Sequence, residues 1–127
     1  MKRLAFLLLS CTALATSCSK DNDATPSGPK EYQVEYKVTS NAMESDYVSY
    51  TNESGGTTTL GTTALPTTYR FKRTMKQGDN LTILASIDGG TAASEITCAI
   101  LLDGKEVKKA TGRGVDAQAV PVYVIGE

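Results

Sequence analysis

The chain has 127 residues, 13 Lys and Arg against 14 Asp and Glu, and neither His nor Trp. The missing His removes the commonest general base and the commonest metal ligand, and near-balanced charge without a basic stripe argues against nucleic acid as a partner. The length suits one domain rather than two.

Taken in order, Met1-Lys2-Arg3 is followed by the apolar run Leu4-Ala5-Phe6-Leu7-Leu8-Leu9, too short for the roughly 20 residues of a membrane crossing. Charge followed by a short apolar core is the layout of a secretory leader. The next stretch, Leu14-Ala15-Thr16-Ser17-Cys18, resembles the lipobox of bacterial lipoproteins, in which the cysteine becomes the lipid-modified first residue. Ala15 stands three places before the cysteine, where a lipobox most often has Leu, and Cys11 follows too short an apolar run to serve. The alternative is an ordinary leader cleaved after Ala15 or Ser17, with Cys18 left as a free thiol. Under the lipobox reading, residues 1–17 are the signal peptide and acyl chains on Cys18 anchor the protein, each buried methylene contributing about 0.8 kcal/mol. Loss of residues 1–17 leaves 11 basic against 14 acidic residues, a net charge of −3.

Residues 19–30 carry Pro26, Gly28 and Pro29 and no apolar side chain larger than Ala, so they bury too little surface to offset ordering. Residues 18–30 therefore read as lipid anchor and flexible tether. The start Cys18-Ser19-Lys20-Asp21-Asn22-Asp23 is similar to the Lys-plus-acidic signals of surface lipoproteins in the Bacteroidetes, and Ser19 after the cysteine fits sorting to the outer membrane by analogy with enterobacteria. The expected location is the outer membrane, on its periplasmic face or at the cell surface.

From residue 31 the period becomes two. Tyr32, Val34, Tyr36 and Val38 alternate with Gln33, Glu35, Lys37 and Thr39, the pattern of a strand with one buried face. Further strands are expected over 47–52, over the Thr-rich 57–63, and over 67–75, where Tyr69 and Phe71 alternate with Arg70 and Lys72. Another is expected over 81–87. The clearest signal is Ile96-Thr97-Cys98-Ala99-Ile100-Leu101-Leu102, then Asp103-Gly104, then Lys105-Glu106-Val107-Lys108-Lys109-Ala110. Asp-Gly between two strand-like runs predicts a two-residue hairpin, its apolar arm central in a sheet and its charged arm at an edge. Residues 118–125 alternate again, with Pro121 marking an edge or bulge.

These short strands predict an all-β domain over 31–127, an immunoglobulin-like antiparallel β-sandwich of about seven or eight strands, with a small closed barrel as the alternative. The segments Val34-Glu35-Tyr36-Lys37-Val38-Thr39, Val48-Ser49-Tyr50-Thr51-Asn52, the Leu65-Pro66 pair before an aromatic and basic strand, and the hairpin from Cys98 to Val107 together resemble the small membrane-anchored MmpS proteins of mycobacteria and their relatives. That resemblance implies a β-sandwich ectodomain in an accessory role beside RND-type exporters. Two features depart from the family: its members are typically held by a transmembrane helix, and the cysteine matching Cys98 commonly has a second cysteine near the C-terminal strand, whereas residues 114–127 contain none.

Cys98 sits among apolar neighbours and reads as a core residue rather than a reactive thiol. Arg70, Lys72, Arg73 and Lys76 form the best basic cluster and are the candidates for partner binding. Tyr47, Tyr50 and Tyr69 are the candidates for ligand contact, since Tyr is amphipathic and cheap to order; solvated charge and core packing are the respective alternatives. No residue pattern implies a catalytic site, a metal or a cofactor. The expected activity is that of a non-enzymatic envelope lipoprotein that binds another envelope protein, with a surface module for sugar or another small ligand as the alternative. Intact-mass spectrometry of the mature protein is expected to show an acylated N-terminus at Cys18, and Cys18→Ser is expected to release the chain from the membrane fraction; an unmodified N-terminus overturns the lipobox reading.

Overall fold

A computed structural model describes residues 28–127, so the leader, Cys18 and residues 19–27 of the tether lie outside the described residues. Eleven strands and no helix occur among them. Alternation sets the layers: in β1 (Lys30–Ser40) the side chains of Val34, Tyr36 and Val38 are fully buried while Gln33, Lys37 and Thr39 face water. Burying each large apolar side chain stabilises the fold by about 1.5–3 kcal/mol, which is why a one-residue slip of this strand would be costly.

β1 lies between β6 (Thr67–Met75) and β8 (Glu95–Leu102), and β9 (Lys105–Arg113) closes this first sheet, all antiparallel. β8 is apolar on both faces and central, and β9 is charged and at the edge, as their composition predicts. Asp103 and Gly104 both adopt positive φ, 49° and 82°, in the turn between them. Asp103 also ties that turn to β1, its amide donating to the Gln33 carbonyl and its carboxylate accepting from the Gln33 amide, both at 2.9 Å.

The second sheet packs β7 (Asn80–Ser86) between β3 (Tyr47–Thr51) and the pair β10 (Gln118–Ala119) and β11 (Val122–Val124), with β4 (Thr57–Leu60) at the far edge. The two sheets face each other across Val34, Tyr36, Val48, Ile83, Ile96 and Ile100, all fully buried, in a β-sandwich. The strand count exceeds the seven or eight expected, for local reasons. Gly61-Thr62 breaks the Thr-rich segment into β4 and β5 (Thr63–Ala64), and β5 pairs with β2 (Glu44–Ser45), a two-residue strand too short to leave a period. Pro121 divides the last segment into β10 and β11.

Period two also separates the outer faces chemically. The first sheet is laced with ion pairs: Glu35 holds both Arg70 at 3.0 Å and Lys37 at 3.2 Å, and Arg113 meets Glu95 at 2.8 Å. None of β3, β4, β7, β10 and β11 contains a charged residue. The outer face of the second sheet presents Tyr47, Ser49, Thr59, Thr82, Leu84 and Val122 instead.

The lateral seam between β9 and β10 is shut. Gly112 of β9 lies against the main chain of Gln118, so that a Cβ at position 112 would collide with the Gln118 carbonyl; Lys108 and Glu127 pair at 3.3 Å along the same side. A backbone obstacle cannot rotate away as a side chain can. Gly112→Ala is therefore expected to lower the unfolding free energy by about 2 kcal/mol or more, measured by denaturant titration; an unchanged midpoint would show that the seam gives way freely.

Candidate functional site

On the opposite side the sandwich is open. The edge strands β6 and β4, one from each sheet, leave a cleft of about 400 Å³ lined by Tyr50, Asn52, Glu53, Ser54, Thr58, Thr68, Tyr69, Arg70 and Phe71. Four consecutive residues of β6 line it, both those facing inward and those facing outward, so the wall is the edge of the strand itself. Beyond its pairing with β1, the main chain of β6 makes no hydrogen bond among the described residues. In an antiparallel pair every second residue turns its N–H and C=O away from its neighbour, so β6 presents a row of main-chain groups along the cleft.

The interior of this seam is aromatic. Tyr50 stacks on Tyr69 with centroids 4.7 Å apart, and Tyr36 lies against Tyr50 at 5.5 Å and Phe71 at 5.7 Å; such pairs contribute about 0.5–1.5 kcal/mol beyond their burial. The Tyr36 hydroxyl donates to the Thr51 carbonyl at 2.9 Å across the sheet gap. Burial raises its pKa far above the usual tyrosine range, so it stays protonated. The Tyr69 hydroxyl is buried without a hydrogen-bond partner among the described residues. The rim is polar: Asn52 accepts from the amide and hydroxyl of Ser54 and donates to Thr58, shaping the β3–β4 turn, while Glu53 is in no ion pair among the described residues.

The structure divides both groups of candidate residues. Arg70 and Lys72 lie on the outer face, and Lys76 follows the end of β6, but Arg73 falls on the inward parity of the strand. Its guanidinium donates to the Asn80 carbonyl at 3.1 Å and lies over Gly55 of the β3–β4 turn, bridging the two sheets. The basic cluster is thus a patch of Arg70, Lys72 and Lys76 with Arg73 withdrawn as a clasp. Arg70 is itself engaged: its hydrogen bond to Glu35, aided by Lys37, holds the Glu35 carboxyl below its usual pKa against a partial desolvation. Among the tyrosines, Tyr50 and Tyr69 meet in the seam, whereas Tyr47 occupies the other face of β3, 38% exposed on the second sheet. Three residues along a strand is an odd step, and it puts Tyr47 and Tyr50 on opposite sides. Asn52, Glu53, Ser54, Thr58, Thr68 and Phe71 also line the cleft, and none of them is a contact candidate in the sequence, where Phe71 marks only the alternation of its strand.

A second hollow, of about 290 Å³, lies by Thr39, Ser40, Asn41, Glu95 and Thr97. Its polar groups are already spent on the fold: Ser40 donates to the Glu95 carbonyl at 2.6 Å, and Asn41 bridges Ala93 and the Glu95 amide. Cys98 is fully buried and has no disulfide partner among the described residues, its thiol pushed up to about 12 by burial, which keeps it a neutral core group. The open seam is therefore the candidate site.

An unsatisfied buried hydroxyl costs about 1–3 kcal/mol. Tyr69→Phe, which removes it and keeps the stacked ring, is expected to raise the stability of the free protein by about 1 kcal/mol in denaturant unfolding; a loss of stability would reveal a partner for that hydroxyl. No protein-family model matches the chain, and no curated protein matches it.

Proposed function

We propose that this chain is a non-enzymatic lipoprotein of the bacterial envelope, anchored in the outer membrane by acyl chains on Cys18, and that its sandwich binds another envelope protein at the open seam. The observation that carries the reading is the free edge of β6, whose main chain lines a cleft of about 400 Å³ beside the β3–β4 turn. Unpaired strand edges are natural templates for protein contact, and the exposed cations Arg70, Lys72 and Lys76 flank this one. The resemblance to MmpS proteins adds a specific partner class, an RND-type exporter. A sugar or other small molecule is the competing occupant. The aromatic wall of Tyr50, Tyr69 and Phe71 favours it, because small-ligand sites commonly fall between about 300 and 1,000 Å³ and join apolar walls to a few polar groups.

A photoreactive side chain at position 68, in the full-length protein in its own envelope, tests the reading. Crosslinking to one defined envelope protein from position 68, and not from position 111 on β9, is expected. Absence of any crosslink, together with glycan binding that Tyr50→Ala abolishes, would transfer the site to the small-ligand reading.

A further inference from the structure

The edge of β6 is selective in a way that names the chemistry of its partner. It is nine residues long, contains no Pro, and keeps an unbroken register with β1 from Lys30↔Met75 to Val38↔Thr67. Long, unbroken edges invite pairing with a second copy, and proteins counter this with charge, Pro, bulges or a covering element. Here the charge is Arg70 and Lys72, two residues apart on one face. Pairing β6 antiparallel with β6 of a second copy, centred on Phe71, sets Arg70 opposite Lys72 twice. Moving the centre by one residue in either direction sets Arg70 opposite Arg70, or Lys72 opposite Lys72. Like charges directly opposite one another are destabilising, so self-association through this edge is disfavoured in each of its long registers.

The neighbour that β6 does accept has the complementary pattern. β1 presents Glu31, Gln33 and Glu35 on the outer face and Tyr32, Val34 and Tyr36 on the inner, with Glu35 opposite Arg70 and Gln33 opposite Lys72. Glu35 serves both Arg70 and Lys37, and Lys72 reaches only the exposed Glu31 at 3.7 Å. The outer face at this edge therefore retains cationic character, and Lys76 lies just beyond its end without an ion-pair partner among the described residues.

Resting on the reading of the open seam as a protein-binding site, we infer that the occupant is an extended segment of the partner protein that adds to β6 as a fifth strand of the first sheet. It carries carboxylates at alternate positions, facing Arg70 and Lys72, and small or apolar residues between them, facing the cleft beside Tyr69 and Phe71. Main-chain hydrogen bonds supply affinity in such strand addition, and the alternating side chains supply the choice of segment.

The test uses the full-length protein in detergent with two synthetic probes, octapeptides alternating Glu with Val and Lys with Val, each flanked by Gly-Ser. The Glu probe is expected to bind and to slow hydrogen exchange at every second amide between Thr67 and Met75. The Lys probe is expected to bind at least about tenfold more weakly at low salt. The double variant R70E/K72E, altered at exposed positions only, is expected to reverse that order. Equal binding of both probes, or binding of the Glu probe without protection along β6, overturns strand addition. If position 68 still crosslinks to an envelope protein in that case, the seam remains the binding site and only the mode is wrong; if it crosslinks to nothing, the protein-binding reading fails with it.

Discussion

The hydrogen bond from the Tyr36 hydroxyl to the Thr51 carbonyl carries the architecture. Leaving a fully buried phenol without an acceptor is costly, and the acceptor that Tyr36 finds belongs to the other sheet. Satisfying it fixes the separation of β1 and β3 at that point and brings Tyr50, Tyr69 and Phe71 around the ring as a packed aromatic group. With bulky rings there, β6 and β4 stand apart and their edges flank a gap. At the other side, a glycine crossed by a peptide lets the sheets close to backbone contact. One seam is thus wedged by aromatics and the other drawn shut, and the difference in residue size between the two sides positions the cleft.

Much of this was legible along the chain, and what was not has a common cause. The Asp103-Gly104 hairpin, the central and edge roles of its arms, and the buried face of β1 are local patterns, written within ten residues of sequence. The paired strands β2 and β5 escape because two residues cannot display a period. Arg73 looked like a member of the basic cluster by proximity in sequence, yet parity on β6 sends it inward to Asn80. Tyr47 and Tyr50 look alike in sequence and part company for the same reason. The site itself was half visible: Tyr50, Tyr69 and Arg70 stand out by residue type, whereas the adjacency of β6 to the β3–β4 turn depends on a packing of sheets that no spacing encodes.

The charges carried on the strands of the two main sheets lie on one side. Every charged residue in the strands of the two main sheets belongs to the first sheet, and the second meets water with hydroxyls, amides and a few apolar groups. Any long-range attraction that the strand charges exert on a charged molecule therefore acts from the face that borders β6, and added salt would weaken it.

The point where the chain enters the fold has a mechanical consequence. Residues before Lys30 join β1 at the end that pairs with Met75, while the cleft lies further along β6 at residues 68–71. A pull between the preceding segment and anything seated on β6 runs parallel to both strands. Their cross-strand hydrogen bonds lie perpendicular to that direction, so the nine paired positions bear the load together, in shear, rather than parting one after another as in a zipper. The same ladder makes the domain a stiff link between its own N-terminal segment and the free edge of β6.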